Sequence, residues 1–185
     1  LGRLVGSEMC IRDRLHIDAH ADVNDHMFGE KIAHGTPFRR AYEEGLIKPE
    51  LVYQIGLRGT GYTAEDFNEA RDWGFNVVQA EELWHKSLEP LAEQIKNKIA
   101  DHPVYITFDI DSLDPAYAPG TGTPEICGLT TPQAVGFIRG LKGLNIIGCD
   151  LVEVSPPYDQ SGNTALTAAN ILYELLCVLP GVEEK

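Results

Sequence analysis

Long apolar runs are absent from the sequence, and none approaches the roughly 20 residues that a membrane-spanning helix needs. The first residues, Leu1 to Arg14, also lack the basic start, apolar stretch and small-residue cleavage site of a secretory signal. Positive charge is scarce, since Lys and Arg total 15 against 28 for Asp and Glu. A net charge of -13 repels phosphate backbones, and no basic patch interrupts it. These absences exclude membrane and nucleic-acid partners.

Paired cysteines are also missing. Four cysteines occur, and none forms a C-x-x-C pair: Cys10, Cys127, Cys149 and Cys177. Such wide spacing is typical of reduced thiols and not of a disulfide framework or a zinc cluster. It predicts a cytoplasmic protein.

Composition is otherwise ordinary, with 43% hydrophobic and 23% charged residues over 185 positions, which suits one soluble globular domain. From Leu15 onward, short apolar runs alternate with amphipathic stretches, which predicts a layered α/β domain on a mainly parallel sheet. The predicted strands are Leu15–Ala19, Leu51–Leu57, Phe75–Gln79, Val104–Ile110 and Leu144–Val154, the last buried and central. One predicted helix begins at Thr63. The other predicted helices span Phe38–Glu44, Ser87–Ala100, Thr131–Leu141 and Thr164–Leu179.

The first 14 residues differ from the rest. They show no clear period, and the run from Gly6 to Arg14 resembles translated adapter sequence from assembled reads. We therefore expect residues 1–14 to be a non-native or disordered leader and residues 15–185 to form the domain. A native, poorly ordered terminus is the alternative.

Asp18, His20 and Asp22 form the first cluster with metal-binding chemistry. Residues two apart on an extended segment point the same way, so the three side chains can project into one space at a strand end. Acids and an imidazole in such proximity are unfavourable unless a cation lies between them. A solvated acidic loop is the alternative. His16 is expected to face away from Asp18 and so not to bind the same ion.

Asp109 and Asp111 form the second cluster, at the end of a strand that reads as buried. Buried acids are rare unless they are paired or bound to metal. The two clusters supply four carboxylates and one imidazole, a set that suits manganese or magnesium more than zinc. Because four carboxylates exceed the needs of one ion, we expect two ions with bridging carboxylates.

A long loop from Ser112 to Leu129 follows and is stiffened by three prolines. Long loops of this kind are usually functional. Glu125 lies near its end and has the carboxylate needed to pair bidentately with a guanidinium. On its own, an acid such as Glu125 is more often a surface residue.

Two motifs resemble the ureohydrolase family, which comprises arginases, agmatinases and guanidino-acid hydrolases. One is Asp18-Ala19-His20-Ala21-Asp22, and the other is Thr107-Phe108-Asp109-Ile110-Asp111 with Asp114-Pro115, Pro119-Gly120 and Gly128. The resemblance extends from about Leu15 to the end of the chain. It is greatest to the agmatinase-like branch, and stretches 23–41 and 79–90 are similar to guanidinobutyrases and guanidinopropionases.

The resemblance implies a three-layer α/β/α fold and a binuclear manganese centre. Asp18 and Asp109 would bridge the two ions, His20 and Asp111 would complete one shell, and Asp22 would belong to the other. A hydroxide that bridges the ions would attack the guanidinium carbon and release urea and an amine.

Two further residues take roles from the resemblance. His34 matches the family's proton-shuttling histidine, and Glu125 matches the acid that holds the substrate's guanidinium. The implied substrate is a linear guanidino compound, with 4-guanidinobutyrate favoured and agmatine next. His26, with Asn24 and Met27, is a candidate for contact with the substrate's tail. Glu153 reads either as support for the site or as an ordinary strand-end acid.

The chain departs from the family pattern in two places. The family's Gly-Gly-Asp/Glu-His-Ser stretch is absent upstream of Leu15, and its histidine would share an ion with Asp22. One shell would then be incomplete, and the chain would be the C-terminal part of a ureohydrolase domain. Cys127 is the second departure, because family members commonly have glycine there.

Two rival hypotheses remain open at this stage. One is a catalytically silent relative that acts as a binding or regulatory subunit, although all five recognisable ligands are present. The other is a non-functional fragment that exposes a strand edge and apolar surface. The intact parent is expected to be a homo-oligomer, either a trimer or a hexamer.

Overall fold

The computed structural model describes residues 13–59, 61 and 66–182. Within them, all pairings between strands are parallel and build one sheet in the order β3-β2-β1-β4-β5. The strands are β1 (Asp13–Ile17), β2 (Val52–Leu57), β3 (Asn76–Gln79), β4 (Val104–Asp109) and β5 (Ile146–Val152). The predicted α/β fold with a parallel sheet is confirmed, and all five predicted strands are present.

Helices connect the strands. They are α1 (Pro37–Glu43), α2 (Asp66–Asp72), α3 (Ala80–Leu83), α4 (Glu89–Ile99), α5 (Thr131–Gly140) and α6 (Asn163–Cys177). Four predicted helices match α1, α4, α5 and α6 to within two residues at each end. The predicted start at Thr63 lies outside the described residues. Short α3 and three 3-10 turns, Pro49–Leu51, Ile110–Ser112 and Pro156–Tyr158, were not predicted.

Two hydrophobic clusters cover the two faces of the sheet and give three layers. Tyr53 and Ile55 of β2 belong to the larger cluster, together with buried residues of α4, α5 and α6. Val52 and Leu57 belong to the smaller cluster, together with residues of α1 and α2. The sheet is therefore covered by helices on both faces, as doubly covered parallel sheets require.

The position of β5 differs from the prediction. It was expected to be buried and central, but it forms one edge of the described sheet, and most of its residues are partly exposed. An apolar sequence alone does not distinguish a central strand from an edge strand. The side chains of Ile147 and Val152 are exposed there.

The first strand begins earlier than predicted. Asp13 and Arg14 belong to β1 and pair with β2 or β4, whereas residues 1–12 lie outside the described residues. None of the helices that the structure describes is long and apolar enough to cross a bilayer.

Candidate metal centre and active site

The parallel sheet places the two acidic motifs at the same edge. β1 and β4 are neighbours, and Ile17 pairs with Phe108 in their register. Asp18 directly follows β1 and Asp109 ends β4, so the two carboxylates emerge side by side. The carboxyl ends of parallel strands are where α/β folds build their binding sites.

His20 lies at the centre of this group. Its Nδ1 is 3.1 Å from Asp111 Oδ2 and 3.4 Å from Asp18 Oδ1. Backbone groups orient the carboxylates: Ala19 N donates to Asp111 Oδ1 at 3.2 Å, and Asp111 N donates to Asp109 Oδ1 at 2.8 Å. The backbone therefore holds acids from two strands in one arrangement.

Asp22 completes the carboxylates of the cluster. Its backbone lies in the left-handed region, with φ of 54°, a conformation that Asp tolerates better than most residues. One oxygen of Asp22 lies within 4.8 Å of ligand atoms of His16 and Asp18. Asp18, His20, Asp22, Asp109 and Asp111 all line one cavity of about 280 Å³.

The cluster is electrostatically unfavourable without a cation. Burial and the charges of Asp18 and Asp111 raise the pKa of Asp109 to about 11. Burial and the charge of Asp18 raise the pKa of Asp22 to about 7. Burial opposes protonation of His20, but its hydrogen bonds to Asp111 and Asp18 raise the pKa of that imidazole to about 11. Without a cation, protons on these three side chains therefore offset the negative charge of the cluster.

The donor set fits a hard divalent cation. Two groups of three side chains could each hold an ion, namely Asp18 with His20 and Asp111, and Asp18 with His16 and Asp22. Carboxylate oxygens dominate both groups, as manganese and magnesium prefer. A bound cation would displace the protons that the acids and His20 otherwise retain.

The expectation for His16 was wrong. His16 does not face away from Asp18, because its Nε2 lies 2.6 Å from Asp18 Oδ2 and the ring is buried against Phe38. Residues two apart on a strand share a face, so His16 and Asp18 lie on the side opposite Ile17.

Gln54 fixes the tautomer of His16. Gln54 Nε2 donates to the carbonyl oxygen of Ala21 at 2.6 Å, and that oxygen can only accept. The same nitrogen lies 3.2 Å from His16 Nδ1, which therefore accepts. The imidazole proton is then on Nε2, where it is donated to Asp18.

Glu125 lies on the other side of His20 from the carboxylates. Its Oε1 is 3.8 Å from His20 Nε2, and about a quarter of its side chain is exposed. Thr123, from the same loop, donates through Oγ1 to Asp111 Oδ2 at 3.1 Å. The loop thus places one acid at the cavity wall and supports another within the cluster.

Cys127 has a strained backbone conformation. Its φ is 64°, in the left-handed region that glycine adopts without cost. The glycine that is common at this position in the ureohydrolase pattern therefore has a conformational explanation.

The residues predicted to shuttle protons, contact the substrate's tail or support the site are divided between the cavity and the surface. His34, Asn24, Met27 and Glu153 line the cavity with the carboxylates. His26 is exposed, with its Nδ1 2.7 Å from Asp25 Oδ2, and it is not among the described residues that line the cavity. Their roles stay predictions.

Arg58 and Gly59 were not predicted to belong to the site. They follow β2, so they reach the same edge of the sheet, and the backbone N of each donates to the carbonyl of Ala19. A Cβ at Gly59 would lie 2.3 Å from His20 Cδ2, so this glycine leaves space for the imidazole. Their position directly after a predicted strand was the signal that could have identified them.

Comparison with known proteins agrees with this arrangement. The arginase family model matches residues 9–177, which is most of the chain. The chain belongs to the arginase family. It is 70% identical to a guanidinobutyrase from Pseudomonas aeruginosa over 91% of this chain and 53% of that protein. It is 62% identical to a mitochondrial agmatinase from Gallus gallus over 91% of this chain and 50% of that protein.

A solved structure shares the arginase-family fold. The proclavaminate amidino hydrolase from Streptomyces clavuligerus is 41% identical, with a TM-score of 0.84 over 89% of this chain and 55% of that chain. The resemblance to ureohydrolases that the two motifs predicted is confirmed. The chain spans about half the length of the curated relatives it matches.

Proposed function

We propose that the arginase-family protein containing this chain hydrolyses a linear guanidino compound to urea and an amine, with two manganese ions. The carboxylate cluster that faces Glu125 across one cavity carries the proposal. The chain's 70% identity to a guanidinobutyrase favours 4-guanidinobutyrate as substrate, and its 62% identity to an agmatinase favours agmatine next.

The cluster suggests which residues would hold the metal. Asp18 and Asp109 would be shared between two ions, with His20 and Asp111 on one and Asp22 on the other. Divalent cations bound there would supply a water of lowered pKa and stabilise negative charge that develops on the substrate.

Glu125 would bind and orient the guanidinium. A carboxylate can accept two parallel N–H bonds from this planar cation, which fixes its rotation as well as its position. Glu125 would thereby direct the guanidinium carbon toward the carboxylate cluster beyond His20. Met27 and Phe67 line the same cavity and offer apolar contact to an alkyl tail.

His34 would donate a proton to the departing amine. An imidazole can both donate a proton and accept one. Because His34 is exposed, its ring can exchange protons with solvent. The ring centroid lies 6.3 Å from that of Phe28. The leaving group would depart as a neutral amine.

The test is urea release in the presence of excess manganese. The substrates are 4-guanidinobutyrate, 3-guanidinopropionate, agmatine and arginine, assayed in parallel. We expect 4-guanidinobutyrate to give the most urea and Asp109→Asn to abolish release from all four. Asp72→Asn, an exposed acid at the end of α2, is the matched control and should retain activity.

The negative outcomes separate the rival hypotheses. Manganese binding without urea from any substrate would favour a silent family member that acts as a binding subunit. Loss of both manganese binding and urea release would favour a non-functional fragment. Activity that survives Asp109→Asn would overturn the proposed metal site.

Assembly and cellular location complete the proposal. Cys127, Cys149 and Cys177 are free thiols, which agrees with a reducing cytoplasm. We propose a cytoplasmic homo-oligomer, a trimer or hexamer in the intact parent. Light scattering of the full-length protein tests the assembly, and a monomer would contradict it. Fractionation of source cells tests the location, and a membrane-bound or secreted protein would contradict it.

A further inference from the structure

We propose that Arg58 is a positioning residue that holds Glu125 in place relative to Asp111 and the turn after β1. The proposal rests on the function proposed above, because it concerns how the guanidinium-binding acid is placed. Arg58 is not among the described residues that line the cavity, and its guanidinium donates to backbone carbonyls, so it acts through the backbone.

The guanidinium of Arg58 joins the two ends of the loop. Nη2 donates to the carbonyl oxygen of Asp111 at 2.8 Å and to that of Glu125 at 2.7 Å. Nε donates to the carbonyl of Ile126 at 2.9 Å, and Nη1 donates to the carbonyl of Ser112 at 3.2 Å. One rigid planar group is therefore hydrogen-bonded to both the start and the end of the loop.

The same residue ties the loop to the sheet. Nη1 of Arg58 donates to the carbonyl of Gly56 in β2 at 3.1 Å, and its backbone N donates to the carbonyl of Ala19 at 2.9 Å. Ala19 lies between proposed ligands Asp18 and His20. The side chain of Arg58 thus joins both ends of the loop to β2, which a lysine with a single nitrogen cannot reproduce, while its backbone joins β2 to the turn after β1.

Gly128 leaves the space that this arrangement needs. A Cβ at Gly128 would lie 2.4 Å from Arg58 Nη2 and 2.5 Å from Asp114 N. The backbone N of Gly128 donates to Asp114 Oδ2 at 3.2 Å, and Leu113 forms a parallel bridge with Leu129. The loop is closed around the guanidinium, so its path depends on that group.

The first test is a double-mutant cycle on urea release from 4-guanidinobutyrate. Arg58→Lys should raise KM roughly tenfold and leave kcat within about twofold, since misplacement of Glu125 weakens guanidinium binding. If Arg58 acts through Glu125, Arg58→Lys should add little to the KM of Glu125→Gln. An unchanged KM, or effects of the two substitutions that simply add, would overturn the proposal.

Trp84→Phe is the matched control. Trp84 Nε1 donates to the carbonyl of Cys127 at 3.0 Å, so this variant removes a hydrogen bond to the same loop from its exposed side. We expect its KM to stay within about twofold of the unaltered protein. A KM as high as that of Arg58→Lys would overturn a specific role for Arg58.

The second test does not require activity. Amide hydrogen exchange over residues 111–129 should be faster in Arg58→Lys, with exchange in β4 unchanged. If the unaltered protein releases no urea, the proposed function has failed, and the exchange result alone decides the positioning role. Equal exchange over 111–129 in both proteins would overturn it.

A third measurement uses only the unaltered protein, in case Arg58→Lys does not fold. The Nε–H of Arg58 should give an NMR signal that exchanges slowly with solvent and shows a contact to Ile126. A rapidly exchanging Nε–H without that contact would overturn the proposal.

Discussion

Asp109 illustrates how a single residue depends on a cation. Burial and the charges of Asp18 and Asp111 raise its pKa to about 11 in the fold. An acid whose folded pKa exceeds its unfolded pKa of about 4 contributes stability that is lost as pH rises between the two values. At neutral pH the metal-free fold is therefore destabilised by this group.

Asp109→Asn is expected to have opposite effects with and without metal. Without metal, it should raise the free energy of unfolding at pH 7 by about 1–2 kcal/mol, because the amide carries no charge. With manganese, it should lose the stabilisation that the unaltered chain gains from binding. Thermal melts with manganese and with a chelator measure both effects.

Asp72→Asn is again the control for these melts and should keep the full manganese-dependent shift. The same manganese-dependent shift in Asp109→Asn would show that Asp109 is not a ligand. A lower metal-free melting temperature in that variant would contradict the electrostatic argument.

Cys127→Gly should stabilise the fold, because φ of 64° strains a residue with a Cβ and not glycine. We expect a gain of about 0.5–1 kcal/mol in the free energy of unfolding, measured by urea denaturation. Cys149→Gly, in β5, is the comparison and should destabilise the protein. Equal losses for both variants would rule out backbone strain at Cys127.

Among the elements, the end of β2 shapes the metal cluster without supplying a ligand. Gly59 follows β2, and a Cβ there would lie 2.3 Å from His20 Cδ2 and 2.9 Å from the carbonyl of Ala19. Gly59→Ala should therefore displace His20 and weaken manganese binding roughly tenfold, as measured by calorimetry.

Gly136→Ala is the control for that measurement. It lies within α5, where nothing is within 4 Å of the added Cβ. This variant should bind manganese as the unaltered chain does and be slightly more stable, because alanine favours helix. Unchanged manganese affinity in Gly59→Ala would show that the fit around His20 is not required.

Local patterns in the sequence predict the elements and the meeting of the two acidic motifs. Alternation along β1 and β4, with parallel pairing, is sufficient to place Asp18 near Asp109. The position of Arg58 after a predicted strand indicates that it lies at the site's edge of the sheet. The hydrogen-bond partners of Arg58 and Gln54 could not be predicted, because they are backbone carbonyls and a ring nitrogen from distant segments. Hydrogen bonds of this kind have no local sequence pattern.

For the whole molecule, β5 and α6 present an uncovered apolar surface in the described chain. Exposed apolar side chains lie on both elements: Ile147, Val152, Leu166, Leu172, Tyr173 and Leu176. An open strand edge beside such a surface promotes association between copies. We expect the isolated chain to elute as mixed oligomers in size-exclusion chromatography.

Ile147→Lys should reduce this association, because a charge on an edge strand opposes pairing with another chain. Lys142→Ile, outside β5, is the reverse control and should not reduce it. A monodisperse chain would contradict the prediction and weaken the fragment hypothesis.

The acids that meet in the cavity are far apart along the chain, and this has a consequence for folding kinetics. Ala19 and Asp111 are 92 positions apart, and β2 and β3 are formed by residues between them. Contacts at such separation form late, because the entropy of closing a long loop must be overcome first. Manganese added during refolding should therefore bind only in the last phase, so that ion uptake reports when β1 and β4 have paired.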